Sequence, residues 1–126
     1  MEKRLKELRQ ITQMVLDVER MKLQKIAAKD KDIIDQMREM ESQSNLRSKQ
    51  LSTKGGSDMA LFAGADLRWK RWKQQKKRIL NTQRAALMAE RDVQKLITNR
   101  AFGKDEAVRR LLKNANEETT IRMRRG

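Results

Sequence analysis

Residues 42–57 read SQSNLRSKQLSTKGGS, and this stretch decides the fold. Ser, Asn, Thr and Gly gather here, and Gly55-Gly56 is the strongest turn signal in the chain. On both sides of it, apolar residues recur at steps of three and four, the spacing of one helical face. Two long amphipathic helices joined by a Gly-containing turn predict an all-α fold, a long antiparallel two-helix coiled-coil hairpin. The expected organisation is a first helix over 1–49, a turn over 50–58, a second helix over 59–118 and a frayed basic tail over 119–126. Ser57 or Asp58 is suited to cap the second helix, and Gly64 with Asp66 offers a later start.

In the first arm the apolar set Leu5, Leu8, Ile11, Val15 and Val18 suggests the seam, which resumes at Ile26, Ile33, Met37 and Met40. The gap between Val15 and Ile26 reads as a stutter, a local unwinding of a coiled coil. Thr12, Lys22 and Asp30 read as polar interruptions that fix register at some cost in stability. In the second arm the expected seam is Phe62, Ala65, Trp69, Trp72, Lys76, Ile79, Gln83 and Ala86. It continues at Val93, Ile97, Ala101, Val108, Leu111 and Ala115, with a slip near Ile97 and Ala101. Gly103 is a weak interior point, costing about 1 kcal/mol against Ala. At 1.5 Å per residue the arms would reach roughly 70 Å and 90 Å. An isolated hairpin buries little, so marginal stability is expected unless a partner or self-association adds burial. A parallel homodimer of long helices is a second arrangement that the sequence permits.

Composition narrows the chemistry. The 126 residues contain no Pro, Cys, His or Tyr, and 31 Lys+Arg face 17 Asp+Glu for a formal charge of +14. Without Cys or His, the familiar zinc, iron–sulfur and haem ligand sets are missing, as are Ser–His–Asp and Cys–His catalysis. The expectation is a chain with no catalytic residue, no cofactor and no metal. Asp30, Asp32 and Asp35 resemble a metal cluster, but they alternate with Lys29 and Lys31 and lack the Gly and closing Glu of a calcium loop. Gly55-Gly56 lacks the rest of a phosphate loop. No apolar run approaches the ~20 residues that span a bilayer. The opening MEKRLKELRQ has neither the apolar stretch of a secretory signal nor the acid-poor character of a transit peptide, which points to a cytoplasmic location.

The positive charge has a place. Residues 1–50 carry 12 Lys+Arg and 9 Asp+Glu, whereas 51–126 carry 19 and 8. Between Asp66 and Glu90 there is no acid, and eight bases stand there: Arg68, Lys70, Arg71, Lys73, Lys76, Lys77, Arg78 and Arg84. Ordinary solvated helices mix signs, because opposite charges at i,i+4 help and like charges hurt. The candidate partner-binding residues are therefore Arg68, Trp69, Lys70, Arg71, Trp72, Lys73 and Lys77. Trp69 and Trp72 are three apart and share a face; they serve either as core or as a partner anchor. An anion-seeking surface would meet nucleic acid, an acidic protein or an anionic membrane. Trp between bases also suits stacking on nucleic-acid bases, and a strut of a nucleoprotein assembly is a related reading. The narrow apolar face argues against a membrane-surface helix.

The chain resembles the FliJ/YscO group of flagellar and type III secretion export stalk proteins. The resemblance rests on a first helix that begins near residue 1, a turn before mid-chain, a longer basic Trp-bearing second helix and a basic tail. Ala65-Asp66-Leu67-Arg68-Trp69 through Ile79-Leu80-Asn81 is similar in kind to the Trp-bearing helix of that group. It implies a non-enzymatic stalk or adaptor that inserts into a hexameric export ATPase and contacts the export gate and substrate chaperones. Residues 1 to about 18 and about 100 to 126 would pair and enter the ATPase ring. The segment from Arg68 to Lys77 would face the gate or a chaperone. The implied location is cytoplasmic, peripheral to a membrane export apparatus.

Overall fold

A computed structural model of the chain describes residues 1–53 and 59–126, with side chains described outside 51–62. The fold is all-α. Helix α1 covers Glu2–Thr53 and helix α2 covers Met59–Arg125, and the two pack against each other. No described residue lies in a strand. Helix α1 outruns the expected boundary at 49, and residues 54–58, with Gly55-Gly56 and the cap candidates Ser57 and Asp58, lie outside the described residues. Residues 119–125, expected to fray, continue α2. The Thr119 and Thr120 hydroxyls donate to the carbonyls of Ala115 and Asn116, and Arg122, Arg124 and Arg125 place positive charge at the negative end of the helix dipole. Gly64 and Gly103 both lie inside α2 and break nothing.

The chain divides into two compact units. One joins Met1–Ile26 to Glu90–Gly126, and the other is Ala27–Ala89. In each, a segment of α1 runs antiparallel to a segment of α2. In the first, Glu2 meets Thr119 and Arg9 meets Asp105, while Glu19 meets Gln94. In the second, Asp30 meets Arg84 and Glu41 meets Lys73.

The inward positions differ from the expected seam. On α1 the shielded residues of the first unit are Leu5, Arg9, Thr12, Leu16, Glu19, Leu23 and Ile26. In Ala27–Ala89 they are Asp30, Ile33, Met37, Met40 and Ser44. The steps of four and three alternate without a slip from Leu5 to Ser44, so the expected stutter is absent. Thr12 and Asp30 are seam residues as read, whereas Lys22 is exposed. Leu8, Ile11, Val15 and Val18, taken for the seam, face outward, with Ile11 57% exposed.

On α2 the shielded run is Trp69, Lys73, Lys76, Leu80, Arg84 and Leu87 in Ala27–Ala89. In the terminal unit it is Arg91, Gln94, Thr98, Ala101, Asp105, Val108, Leu112 and Ala115. Two successive steps of four flank Leu80, so the slip of α2 lies there and not near Ile97. Trp69, Lys76, Ala101, Val108 and Ala115 hold their expected places. Trp72, Ile79, Gln83, Ala86, Val93, Ile97 and Leu111 are exposed, and the side chain of Phe62 lies outside the described residues. Ile33, Met40 and Leu80 form the core cluster of Ala27–Ala89, with Met37 and Leu87 packed on it. Leu80 retains only 2% of its surface.

Candidate partner-binding surface

The acid-free interval of α2 is not free of acids in space. Glu41 of α1 takes Lys73 at 2.9 Å and approaches Lys77 at 3.9 Å. Asp30 takes Arg84 Nε at 2.8 Å, and Asp66, one turn back on α2, takes Lys70 at 3.1 Å. Four of the eight bases thus have carboxylate partners. Arg68 Nε donates to the Gly64 carbonyl at 3.5 Å. Arg71, Lys76 and Arg78 have no carboxylate partner among the described residues. The Lys73 ammonium, donating to Glu41 and attracting it, holds that carboxyl below the usual carboxylate value. Asp30 holds the Arg84 guanidinium above its ordinary value by accepting its hydrogen bond and by charge attraction.

The two Trp separate in role while remaining in contact. Trp69 is half-buried, with the Arg47 guanidinium 4.2 Å above its ring, a cation–π arrangement. Trp72 stacks on Trp69 with centroids 4.9 Å apart and an interplanar angle of 29°, and is 47% exposed. Trp69 thus works as core and Trp72 as a surface ring. Sequence reasoning placed both on one face and missed Arg47, which comes from α1 and has no local signature. Asp30, Asp32 and Asp35 do not converge: Asp30 is half-buried against Arg84, and the other two are exposed. No group of three potential metal ligands exists among the described residues. Among the same residues no helix is long and apolar enough to cross a membrane.

The terminal unit has a polar interior that the sequence reading did not anticipate. Gln94, Thr98 and Asp105 are buried. Asp105 accepts from the Thr12 hydroxyl at 2.9 Å and lies 2.8 Å from Arg9 Nε. Gln94 donates to the Glu19 carbonyl and carboxylate, and Thr98 donates to the Gln94 carbonyl at 2.8 Å. The Gln94 amide, aided by Lys22, holds the Glu19 carboxyl below its ordinary value. These pairings satisfy the buried Gln94, Thr98 and Asp105 side chains, whereas the buried Arg9 and Arg91 Nε atoms have no aligned hydrogen-bond acceptor among the described residues. An open groove of about 760 Å³ lies in this unit, lined by Arg9, Arg109, Arg110, Lys113, Arg124 and neighbours. Glu106 offsets part of that charge through Arg109 at 3.6 Å and Arg110 at 3.8 Å.

Many of the displaced apolar residues lie in the same unit. Leu8, Ile11, Met14, Val15, Val18 and Met21 are exposed on α1, and Val93, Leu96, Ile97 and Leu111 on α2. No protein-family model, curated protein or solved structure matches the chain.

Proposed function

We propose that this chain is a non-enzymatic coiled-coil stalk or adaptor that binds protein partners through its paired terminal segments. The carrying observation is that Met1–Ile26 and Glu90–Gly126 form one compact unit whose apolar residues largely face outward. Large apolar side chains left in water on both helices of one unit favour a protein contact. The resemblance to export stalk proteins names the partner: a flagellar or type III export ATPase at the paired termini. A gate or chaperone would meet the segment with Arg68, Lys70, Arg71 and Trp72. The test mixes the full chain with a flagellar export ATPase and reads co-elution and ATP hydrolysis. Co-elution with a faster ATPase rate is expected, and Ile11→Glu with Val18→Glu should abolish both. Absence of both effects in the unaltered chain would overturn the reading.

A second reading is a basic nucleic-acid-binding protein or a strut of a nucleoprotein assembly. It is favoured by exposed Trp72 beside Arg71, which lacks a carboxylate partner. Phosphate contacts would make affinity fall with salt, with little sequence preference. Titration with DNA and RNA at two salt concentrations, repeated with Arg71→Glu and Arg78→Glu, separates this reading from the first.

A further inference from the structure

The heptad register gives the outward apolar residues a common place. With shielded positions labelled a and d, Arg9 and Leu16 are a, and Thr12 and Glu19 are d. Leu8 and Val15 are then g, and Ile11 and Val18 are c. On α2, Asp105 is a and Val108 is d, so Ile97 and Leu111 are g. Reversing one helix of a pair sets g beside g along one edge and e beside e along the other. The g and c residues of both segments therefore form one edge of the terminal unit. The opposite edge of α1 carries Lys3, Lys6, Gln10, Gln13, Asp17 and Arg20 and no apolar side chain. The unit is amphipathic a second time, beyond its own seam.

Charge on the apolar edge selects its occupant. At g and c positions over 8–25 and 90–118 the charged residues are Lys22, Lys25, Arg100 and Lys104, with Glu90 and Glu118 at the two ends of the α2 stripe and no acid between them. All four are exposed, and only Lys22 has a carboxylate, Glu19 at 3.1 Å. Arg100 and Lys104 stand between Ile97 and Leu111, in the middle of the α2 stripe. A second copy would bring the same bases to the contact, and each copy carries +14.

We propose that the edge formed by Leu8, Ile11, Val15, Val18, Ile97 and Leu111 docks an acidic amphipathic helix of another protein. The partner helix lays an apolar stripe along this edge, and its flanking Asp or Glu side chains meet Arg100 and Lys104. The contact extends the hairpin to a three-helix packing, with the partner covering apolar side chains that the seam of the terminal unit leaves in water. This names the partner chemistry of the stalk reading above and rests on that reading for a protein partner at the terminal unit.

The probe is a synthetic helix of roughly three heptads with Leu and Ile at a and d and Glu at e and g, against a copy with Lys at e and g. Labelled peptide is titrated with the full chain by fluorescence anisotropy. The Glu peptide should bind at least about tenfold tighter than the Lys peptide. Val15→Ser with Ile97→Ser should weaken it by about tenfold or more, and Arg100→Glu with Lys104→Glu should reverse the preference between peptides. All four positions are exposed, so circular dichroism should show unchanged helix content. Equal binding of both peptides, or binding that survives both double variants, overturns the proposal. So does a doubled mass in sedimentation that Val15→Ser with Ile97→Ser abolishes, which assigns the edge to a second copy. Peptide failure with ATPase co-elution intact sinks this inference and leaves the stalk reading standing. Peptide binding without any ATPase effect does the opposite.

Discussion

Both units bury apolar side chains, Ile33, Met40 and Leu80 in Ala27–Ala89 and Leu16, Ile26, Ala101 and Val108 in the terminal unit, but among the described residues the buried polar side chains, Gln94, Thr98 and Asp105, all lie in the terminal unit. Ala27–Ala89 balances its bases with Glu41 and Asp30. The terminal unit adds buried hydrogen bonds to its apolar seam and leaves Ile11, Val15 and Ile97 in water. Apolar burial stabilises roughly in proportion to area. Buried polar pairs add little net stability, but a mismatch is costly, so they select one register. The contrast is one of register: the buried polar side chains of the terminal unit accept one alignment of the helices, a constraint that the apolar cluster of Ala27–Ala89 imposes less strictly.

The contrast can be broken most directly at Leu80. Leu80→Ala should cost about 3 kcal/mol, because the side chain is fully buried and a cavity remains. Urea denaturation followed by circular dichroism reads it, and a cost near zero would remove the apolar core from the account. Next comes the polar seam. Asp105→Ala should cost about 1–2 kcal/mol, since it removes the carboxylate facing Arg9 and leaves the Thr12 hydroxyl only the Arg9 carbonyl to donate to. The same denaturation experiment checks it, and a stabilising outcome would deny the seam its pairing role.

Gly103→Ala should go the other way and add up to about 1 kcal/mol. Gly103 lies within α2, and an added Cβ would meet nothing within 4 Å. A lowered thermal midpoint would contradict the helical placement. Lys73→Ala should cost less than Leu80→Ala, and the part due to the Glu41 pair should decline with salt, because Glu41 is half exposed. Arg71→Ala, with no carboxylate to lose, should cost less still.

The smallest effect is in pH. Glu19 and Glu41 are both held below the ordinary carboxylate value in the fold, by Gln94 and by Lys73 respectively. The unfolded chain then binds more protons through the acidic range, so stability falls as pH drops. The contribution is full above the ordinary Glu value and is lost as pH falls through the lowered folded values. Thermal midpoints stepped downward from pH 7 should stay level and then fall. Glu41→Gln should flatten part of that fall, and an unchanged profile would remove Glu41 from it.

Much of the fold was legible from composition and spacing. The absence of Pro, the three–four recurrence and Gly55-Gly56 announced two long helices, although the turn itself lies outside the described residues. The site was legible less well. Lys70, Lys73, Lys77 and Arg84 look unopposed along the chain, yet three of them meet carboxylates of α1, and Lys70 meets Asp66 just before the interval began. Trp69 and Trp72 were visible, but their division into core and surface depends on Arg47 and the opposite helix.

The sequence by itself determined helicity, the two arms, the excess of bases in 51–126 and the lack of Cys and His chemistry. The seam was decided only in the tertiary structure. Helix α1 carries two stripes of three–four spacing on neighbouring faces, one through Leu8, Ile11, Val15 and Val18 and one through Arg9, Thr12, Leu16 and Glu19. Hydropathy favours the first. The second is the inward one because its polar members find partners on α2 in Asp105, Gln94 and Thr98. A polar group is tolerated inside when the opposite helix satisfies it, and no single helix contains that information.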